Sequence, residues 1–301
     1  MKKINFLLFI FGLTFISTVI SAQEKTADLG YFPKIEFNDK VVESNTADDG
    51  TTFQKIVLDG FDSKVPFYFI RPKNRMEDKF VILLHGITWS KENWIKTTTN
   101  ISEKTVKLKD SLLSLGYSVI IPDAKYHGER SYQGNFASPL TFFSSQDSQK
   151  VYNLFSATVK DIRIIMDYIQ SSLANTSTTF DVIGYSMGGM MTILLNSVDD
   201  RLNRVVVCVA PLDIQKAAKI LGMNEENAKN LEVISPKNYA TIQKAPITLL
   251  MGTEDGWYVK EEAQDFFDQI NIKDKTLIFY ESGHYLPDEF ISDAIKGISK
   301  K

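Results

Sequence analysis

The feature that most restricts the fold of this chain is a series of short, near-continuous runs of Val, Ile and Leu. They are "KFVILLHG", "GYSVIIPD", "FDVIGYS", "RVVVCVAP", "APITLLMG" and "KTLIFYESGH". A strand with one wet face alternates apolar and polar residues, whereas these runs do not, so they read as strands buried on both faces. Two further stretches, "TFQKIVLDG" and "KVPFYFIRP", read as an antiparallel pair ahead of them. Between the runs lie segments of helical period. In "KVYNLFSATVKDIRIIMDYIQ" the residues Val151, Leu154, Phe155, Val159, Ile162, Ile165, Met166 and Ile169 recur at three- and four-residue steps. Shorter helices are expected over 104–115, 187–197, 260–270 and 287–299. This alternation predicts an α/β protein with a mostly parallel, eight-stranded sheet and helices on both faces. Parallel crossovers are right-handed, so chemistry is expected beyond the carboxyl ends of the strands.

Two segments have no place in the sheet. Residues 131–150 are polar and aromatic without a period and read as a loop over one strand end. Residues 212–244 hold weak helical pieces and read as a small cap. At the start, Met1-Lys2-Lys3, an apolar stretch from Ile4 to Ile20 and then Ser21-Ala22-Gln23 have the layout of a secretory signal peptide. The expectation is therefore a leader over 1–22, export to the periplasm or the medium, and one domain over 23–301. The apolar stretch is broken by Asn5, Thr14, Ser17 and Thr18 and is short for a bilayer span, so no membrane association is expected once the leader is cut. Formal net charge is −3 and the chain carries no interior basic block, which removes the electrostatic case for nucleic acid. The single cysteine, Cys208, lies within an apolar run and reads as a core filler.

The stretch "FDVIGYSMGGM" carries the chemistry. Gly184-Tyr185-Ser186-Met187-Gly188 fits G-x-S-x-G, with an apolar strand before it and a helical segment after it. A nucleophile on so sharp a strand-to-helix turn crowds its neighbours, and small residues two before and two after relieve that. The chain has three histidines, His85, His127 and His284. In the order serine, acid, histidine that goes with such an elbow, only His284 in "YESGHYLP" lies after Ser186, which makes it the general base. The acid is expected after the preceding strand, in "MGTEDGWYV". The spacing from Gly252 favours Asp255 over Glu254, with Asp213 in "VAPLD" as the runner-up. For the oxyanion, the backbone N–H groups of Met187 and of Ile87 are the expected donors. His85 reads as a structural turn residue. No metal-ligand spacing or phosphate-cradling loop is present, so no metal or organic cofactor is expected.

The set "LLHGITWSKENW", "GYSVIIPDAKYHGER", "GYSMGG", "GTEDGWYV" and "SGHYLP" resembles the α/β-hydrolase superfamily over roughly residues 50–300, and the first two stretches resemble its dienelactone-hydrolase-like and acyl-peptidase-like esterase branches. The resemblance implies the α/β-hydrolase fold, places Ser186, Asp255 and His284 as the triad, and sets Ile87 and Met187 as oxyanion donors. Two departures stand out. The lipase-type HGGG stretch is replaced by His85-Gly86-Ile87-Thr88, and the cysteine nucleophile of dienelactone hydrolases proper is here Ser186. The implied protein is an exported serine hydrolase of a small-molecule carboxylic ester. A peptidase of the acyl-peptidase kind is the alternative, ranked lower because these residues hold no large propeller. A binding protein that keeps the fold without the chemistry is a second alternative.

Aromatic residues gather in the same loops. Trp89, Tyr126, Trp257 and Tyr285, with His127 from "DAKYHGER", are the candidate substrate-binding residues, and Trp94 and Tyr258 lie beside them. Flat rings of this kind suit an aromatic acyl group or a sugar. The simpler reading of His127 and Arg130 is that they brace their own loop.

Overall fold

A computed structural model of the chain describes residues 26–34, 36–173 and 177–299. The leader expected over 1–22 lies outside the described residues. The strands are β1 (Lys40–Thr46), β2 (Thr52–Asp59), β3 (Lys64–Arg71), β4 (Phe80–Leu84), β5 (Ser118–Pro122), β6 (Phe180–Tyr185), β7 (Leu202–Cys208), β8 (Ile247–Gly252) and β9 (Lys275–Tyr280). They form one nine-stranded sheet in the order β1-β2-β3-β5-β4-β6-β7-β8-β9. The first three strands and the β3–β5 contact are antiparallel, and every other pairing is parallel.

The count of eight strands is corrected to nine by β1. Its sequence KVVESNT is exposed along its whole length, so no hydrophobic pattern announces it. It is a strand because β2 offers it a backbone ladder, with Asn45 opposite Phe53 and Thr46 opposite Thr52. The central strands behave as their composition dictates: β4, β5, β6 and β8 are buried at every residue.

The helices are α1 (Asn100–Ser114), α2 (Thr141–Ser144), α3 (Ser148–Tyr168), α4 (Met187–Val198), α5 (Ile214–Ile220), α6 (Glu225–Lys229), α7 (Lys260–Gln269) and α8 (Glu289–Ser299). On one face of the sheet, Leu108 and Leu112 of α1 and Phe290, Ala294 and Ile298 of α8 share a core with Val81, Leu83, Val119 and Ile183. On the other, α3 and α4 bury Leu154, Ile162, Ile165, Met191 and Leu194 with Ile82, Ile120, Val182 and Val207. Full burial of each such side chain contributes about 1.5–3 kcal/mol, so the two faces hold the sheet as a rigid platform.

Residues 131–150 are less irregular than expected. They hold the end of a 3-10 turn (Gly128–Gly134), α2, and the first turn of α3, which Asp147 caps by accepting the Lys150 N–H at 2.9 Å. Residues 212–244 consist of α5, α6 and two 3-10 turns. Met223, Leu231, Ile234 and Tyr239 of this segment are buried in the same core as α3 and α4.

The chain leaves β4 for β5 on one side and returns to β6 on the other. Strand order therefore reverses at β4, and the loops at the carboxyl ends of β4 and β6 part around a crevice.

Candidate active site

Ser186 stands at that crevice, between the last residue of β6 and the first of α4. Its backbone lies in a left-handed region, φ 56° and ψ −116°, where few residues other than glycine settle. Such a conformation costs on the order of 1–3 kcal/mol and persists only where the surroundings over-determine it. Here they do. A Cβ on Gly184 would fall 2.2 Å from the Gly188 carbonyl oxygen, and one on Gly188 would fall 2.3 Å from that of Leu84. The glycines thus let α4 close onto β4 and β6, while the Ser186 N–H is fixed by the Cys208 carbonyl at 2.8 Å.

The structure brings the histidine and carboxylate expected from the sequence to this hydroxyl. His284 Nε2 is 2.8 Å from Ser186 Oγ, and His284 Nδ1 is 2.8 Å from Asp255 Oδ2. A carboxylate only accepts, so Nδ1 carries the imidazole proton and Nε2 is left to accept from the serine hydroxyl. The Asp255 side chain is wholly buried, and its second oxygen accepts the Trp257 N–H at 3.0 Å. Asp213 lies elsewhere: it caps α5 by accepting the Gln215 and Lys216 N–H groups and pairs with Lys237.

Two tyrosines, Tyr185 and the Tyr258 noted among the loop aromatics, support the pair in a role that the sequence did not reveal. The Tyr185 hydroxyl donates to the His284 carbonyl at 2.9 Å and accepts the Leu286 N–H at 3.1 Å, which clamps the histidine loop on both sides. The Tyr258 hydroxyl accepts the Gly252 N–H at 2.9 Å, at the start of the loop that carries Asp255. Burial pushes both phenols well above their ordinary range, so they remain neutral.

Ile87 and Met187 both border the crevice beside Ser186. The Met187 amide is the first of α4 and so has no intrahelical carbonyl to meet. The Ile87 loop is held from behind by His127, whose Nε2 lies 2.6 Å from the Ile87 carbonyl and whose Nδ1 lies 2.8 Å from that of Lys125. With 3% of its surface exposed and both ring nitrogens engaged, His127 is turned away from the crevice, which corrects its expected role in binding substrate. Burial lowers its imidazole pKa. His85 is likewise internal: Nδ1 donates to Gly86 and Nε2 accepts from Ala124, and burial pushes it down to about 3.

A buried ionic brace ties the loops after β4 and β5. Lys91 Nζ sits 2.7 Å from Asp123 Oδ2 and 2.6 Å from Glu129 Oε1, while Asp123 also accepts the N–H groups of Lys91 and Glu129. Arg130 joins from below through the Asp123 carbonyl at 3.2 Å and Asp161 at 2.8 Å.

The remaining aromatics separate into two groups. Tyr126 is buried against Phe142, with ring centroids 5.0 Å apart, and Trp94 is enclosed in the core of α1, so neither reaches the crevice. Trp257 borders it and meets His284 edge-on at 6.1 Å. Trp89 stacks on Tyr185 at 5.6 Å, and Tyr285, beside His284, is 66% exposed. The crevice itself is a cavity of about 40 Å³. Phe143 of α2, Phe155 of α3, Met190 of α4, Pro211 after β7, and Ile214, Ala217 and Leu221 around α5 complete its wall. None of these was recognisable in the sequence, since each reads as an ordinary core residue of its own segment. A larger hollow of about 520 Å³ lies at the opposite ends of the strands, between Lys79, Tyr117 and Arg204. Among the described residues no group of His, Cys, Asp and Glu side chains is arranged to hold a metal ion.

A largely parallel sheet with a serine on the elbow after β6 and a histidine after the last strand defines the α/β-hydrolase fold. Within it, the dienelactone hydrolase family profile matches residues 65–285, and the chain belongs to that family. Solved structures of similar architecture include acetyl xylan esterase 1 from Thermoanaerobacterium sp. JW/SL YS485, with a TM-score of 0.66 and 16% identity over 87% of each chain. The acetyl xylan esterase from Paenibacillus sp. R4 aligns with a TM-score of 0.65 and 13% identity, covering 87% of this chain and 88% of that one. A cold-adapted esterase from an Arctic intertidal metagenomic library aligns with a TM-score of 0.61 and 17% identity, over 86% of this chain and 99% of that one. No match emerges among the curated protein sequences.

Proposed function

We propose that the protein is a serine hydrolase of carboxylic esters that works through an acyl-serine intermediate. The observation that carries this reading is the continuous hydrogen-bonded series Ser186–His284–Asp255, each contact 2.8 Å, at a strained elbow. Family membership and the names of the three structural neighbours described above, each an esterase, support ester as the bond cleaved.

In the first half-reaction Ser186 Oγ attacks the ester carbonyl while His284 Nε2 takes the hydroxyl proton. Asp255, buried and hydrogen bonded to Nδ1, holds the imidazole in the accepting tautomer and stabilises the cation that forms. The negative charge on the tetrahedral oxygen is met by the amides of Met187 and Ile87, with the amino end of α4 adding its dipole. Collapse expels the alcohol, which receives the proton from His284. Water then enters, His284 removes its proton, and attack on the acyl-Ser186 carbonyl releases the carboxylic acid and restores the serine.

The amino-terminal layout over residues 1–22 supports export as part of the same proposal, and sequencing the amino terminus of secreted protein tests it: a start at Gln23 is expected. The enzymatic proposal is tested by purified protein on nitrophenyl acetate and on aminoacyl nitroanilides. Turnover of the acetate that vanishes in Ser186→Ala is expected. Faster cleavage of the anilides would make it a peptidase, and equal turnover by the Ser186→Ala variant would remove the serine from the chemistry.

A further inference from the structure

We infer that Tyr185, the residue before Ser186, is a positioning residue that holds both the general base and the oxyanion loop in place against the serine. This rests on the proposed roles of Ser186, His284 and Ile87 and adds the side chain that keeps them together.

Strand alternation sets the direction of that side chain. Gly184 faces α4, where a Cβ would meet the Gly188 carbonyl, so Tyr185 points to the opposite face of the sheet. There it is 1% exposed and meets Phe290 of α8 edge-on, with ring centroids 6.0 Å apart. The elbow demands small residues two before and two after the serine and leaves this position free to be large. From it the phenol reaches the loop after β9: the hydroxyl donates to the His284 carbonyl at 2.9 Å and accepts the Leu286 N–H at 3.1 Å. Both bonds fall on the backbone of the histidine loop, so they decide where the imidazole starts from, while Asp255 decides how it is turned. Leu286 is fully buried, and without the phenol its N–H is left with no partner and no water. The loop would have to shift to satisfy it, and His284 would shift with the loop.

The ring has a second contact. Trp89 stacks on it, with centroids 5.6 Å apart and planes inclined by 23°. The Trp89 N–H donates to the Gly86 carbonyl at 3.1 Å, which closes the four-residue turn that carries Ile87. Gly86 lies between the Trp89 ring and Ser186: a Cβ built on it would stand 3.7 Å from Trp89 Cδ2 and 3.7 Å from Ser186 Cβ. The turn that presents the Ile87 amide is therefore set against the serine by a stack that ends on Tyr185. One buried side chain thus joins the elbow by its covalent bond, the base loop by two hydrogen bonds and the oxyanion loop by its ring face.

A tyrosine that only filled the core would, on losing its hydroxyl, lower stability and leave the chemistry of the folded molecules intact. A positioning residue lowers kcat. The experiment measures kcat and KM of the full chain for nitrophenyl acetate, per active site titrated to completion with a fluorophosphonate, so that unfolded molecules are not counted. Tyr185→Phe keeps the ring and its stack and removes only the hydroxyl. We expect kcat to fall by about 10- to 100-fold, since a displacement on the order of 1 Å costs as much as 100-fold. KM should stay within about threefold, as fits an interaction spent on the transition state. The proton NMR signal of His284 Nδ1–H should shift and exchange faster with water, which a loss of packing elsewhere would not cause. Trp89→Leu should lower kcat by roughly tenfold, less than the loss of a whole oxyanion donor, and Trp89→Phe, which keeps a flat ring, should restore most of it. A Tyr185→Phe variant whose per-site kcat stays within about threefold of wild type overturns the inference while leaving the proposed function standing. If that variant does not fold, the Trp89 pair decides, and equal kcat for the Leu and Phe variants overturns it. Absence of turnover that depends on Ser186 in the wild-type protein defeats the proposed function itself.

Discussion

Replacing Asp255 by Asn tests the division of labour within the site, because the surrounding hydrogen bonds dictate which way the new amide must face. Asp255 Oδ1 accepts the Trp257 N–H at 3.0 Å, and Oδ2 lies 2.8 Å from His284 Nδ1. The Trp257 N–H can only donate, so the amide oxygen of Asn must occupy the first position and its NH2 the second. That NH2 then donates toward His284 Nδ1, which must become the acceptor, and the imidazole proton moves to Nε2. There it points at Ser186 Oγ, and the base can no longer take the serine proton. A triad locked in the wrong tautomer loses about 10⁴-fold in kcat, or about 5.4 kcal/mol of transition-state stabilisation. Substrate contacts are untouched, so KM for nitrophenyl acetate should stay within a few-fold and the thermal midpoint within a few degrees. Asp255→Ala removes the carboxylate without imposing the amide, so the Asn variant should be no more active than the Ala variant. An Asn variant within tenfold of wild type at pH 7, or one clearly faster than Ala, would refute the tautomer argument.

Other consequences follow from burial and close packing. Lys91→Met should strand the buried Asp123 carboxylate without its cation, costing about 3–5 kcal/mol and lowering the thermal midpoint by roughly 6–20 °C in a melt. Gly188→Ala places a Cβ 2.3 Å from the Leu84 carbonyl oxygen, so it should abolish esterase activity and sharply reduce soluble yield. Asp181 is buried, and burial raises its pKa from 3.8 to about 6 despite the Asn203 hydrogen bond. The folded state therefore binds the proton more tightly than the unfolded one, and wild-type stability should fall as pH rises from about 4 through 6. Asp181→Asn, compared by urea titration at pH 4 and 7, should remove this component and gain up to about 3 kcal/mol relative to wild type at pH 7. Cys208 is buried and burial raises its thiol pKa, so a thiol reagent should label it only as fast as the protein unfolds.

The sheet was legible wherever burial left a mark on composition. The runs that became β4, β5, β6 and β8 are apolar because both their faces are covered, and α3 shows its stripe because one face is. β1 left no mark, since its polar, exposed residues are ordered by the backbone of β2 alone. In the site, the elbow was readable because the steric demands of the turn act on residues two positions away in sequence. The choice of Asp255 over Glu254 needed only spacing, whereas the burial of Tyr126 and His127 depended on how Phe142 and the Ile87 carbonyl pack against them from elsewhere. The cavity wall was illegible for the same reason. Phe143, Ala217 and Leu221 become neighbours of Ser186 only through the fold, and no local period separates a residue facing a small hollow from one facing solid core.

The most direct test of the account is phosphonylation by a fluorophosphonate, read by mass spectrometry of peptides. Stoichiometric modification of the peptide containing Ser186 is expected, with strong slowing in His284→Ala and none in Ser186→Ala. A protein that folds yet resists the reagent, or carries the label on another residue, would contradict it.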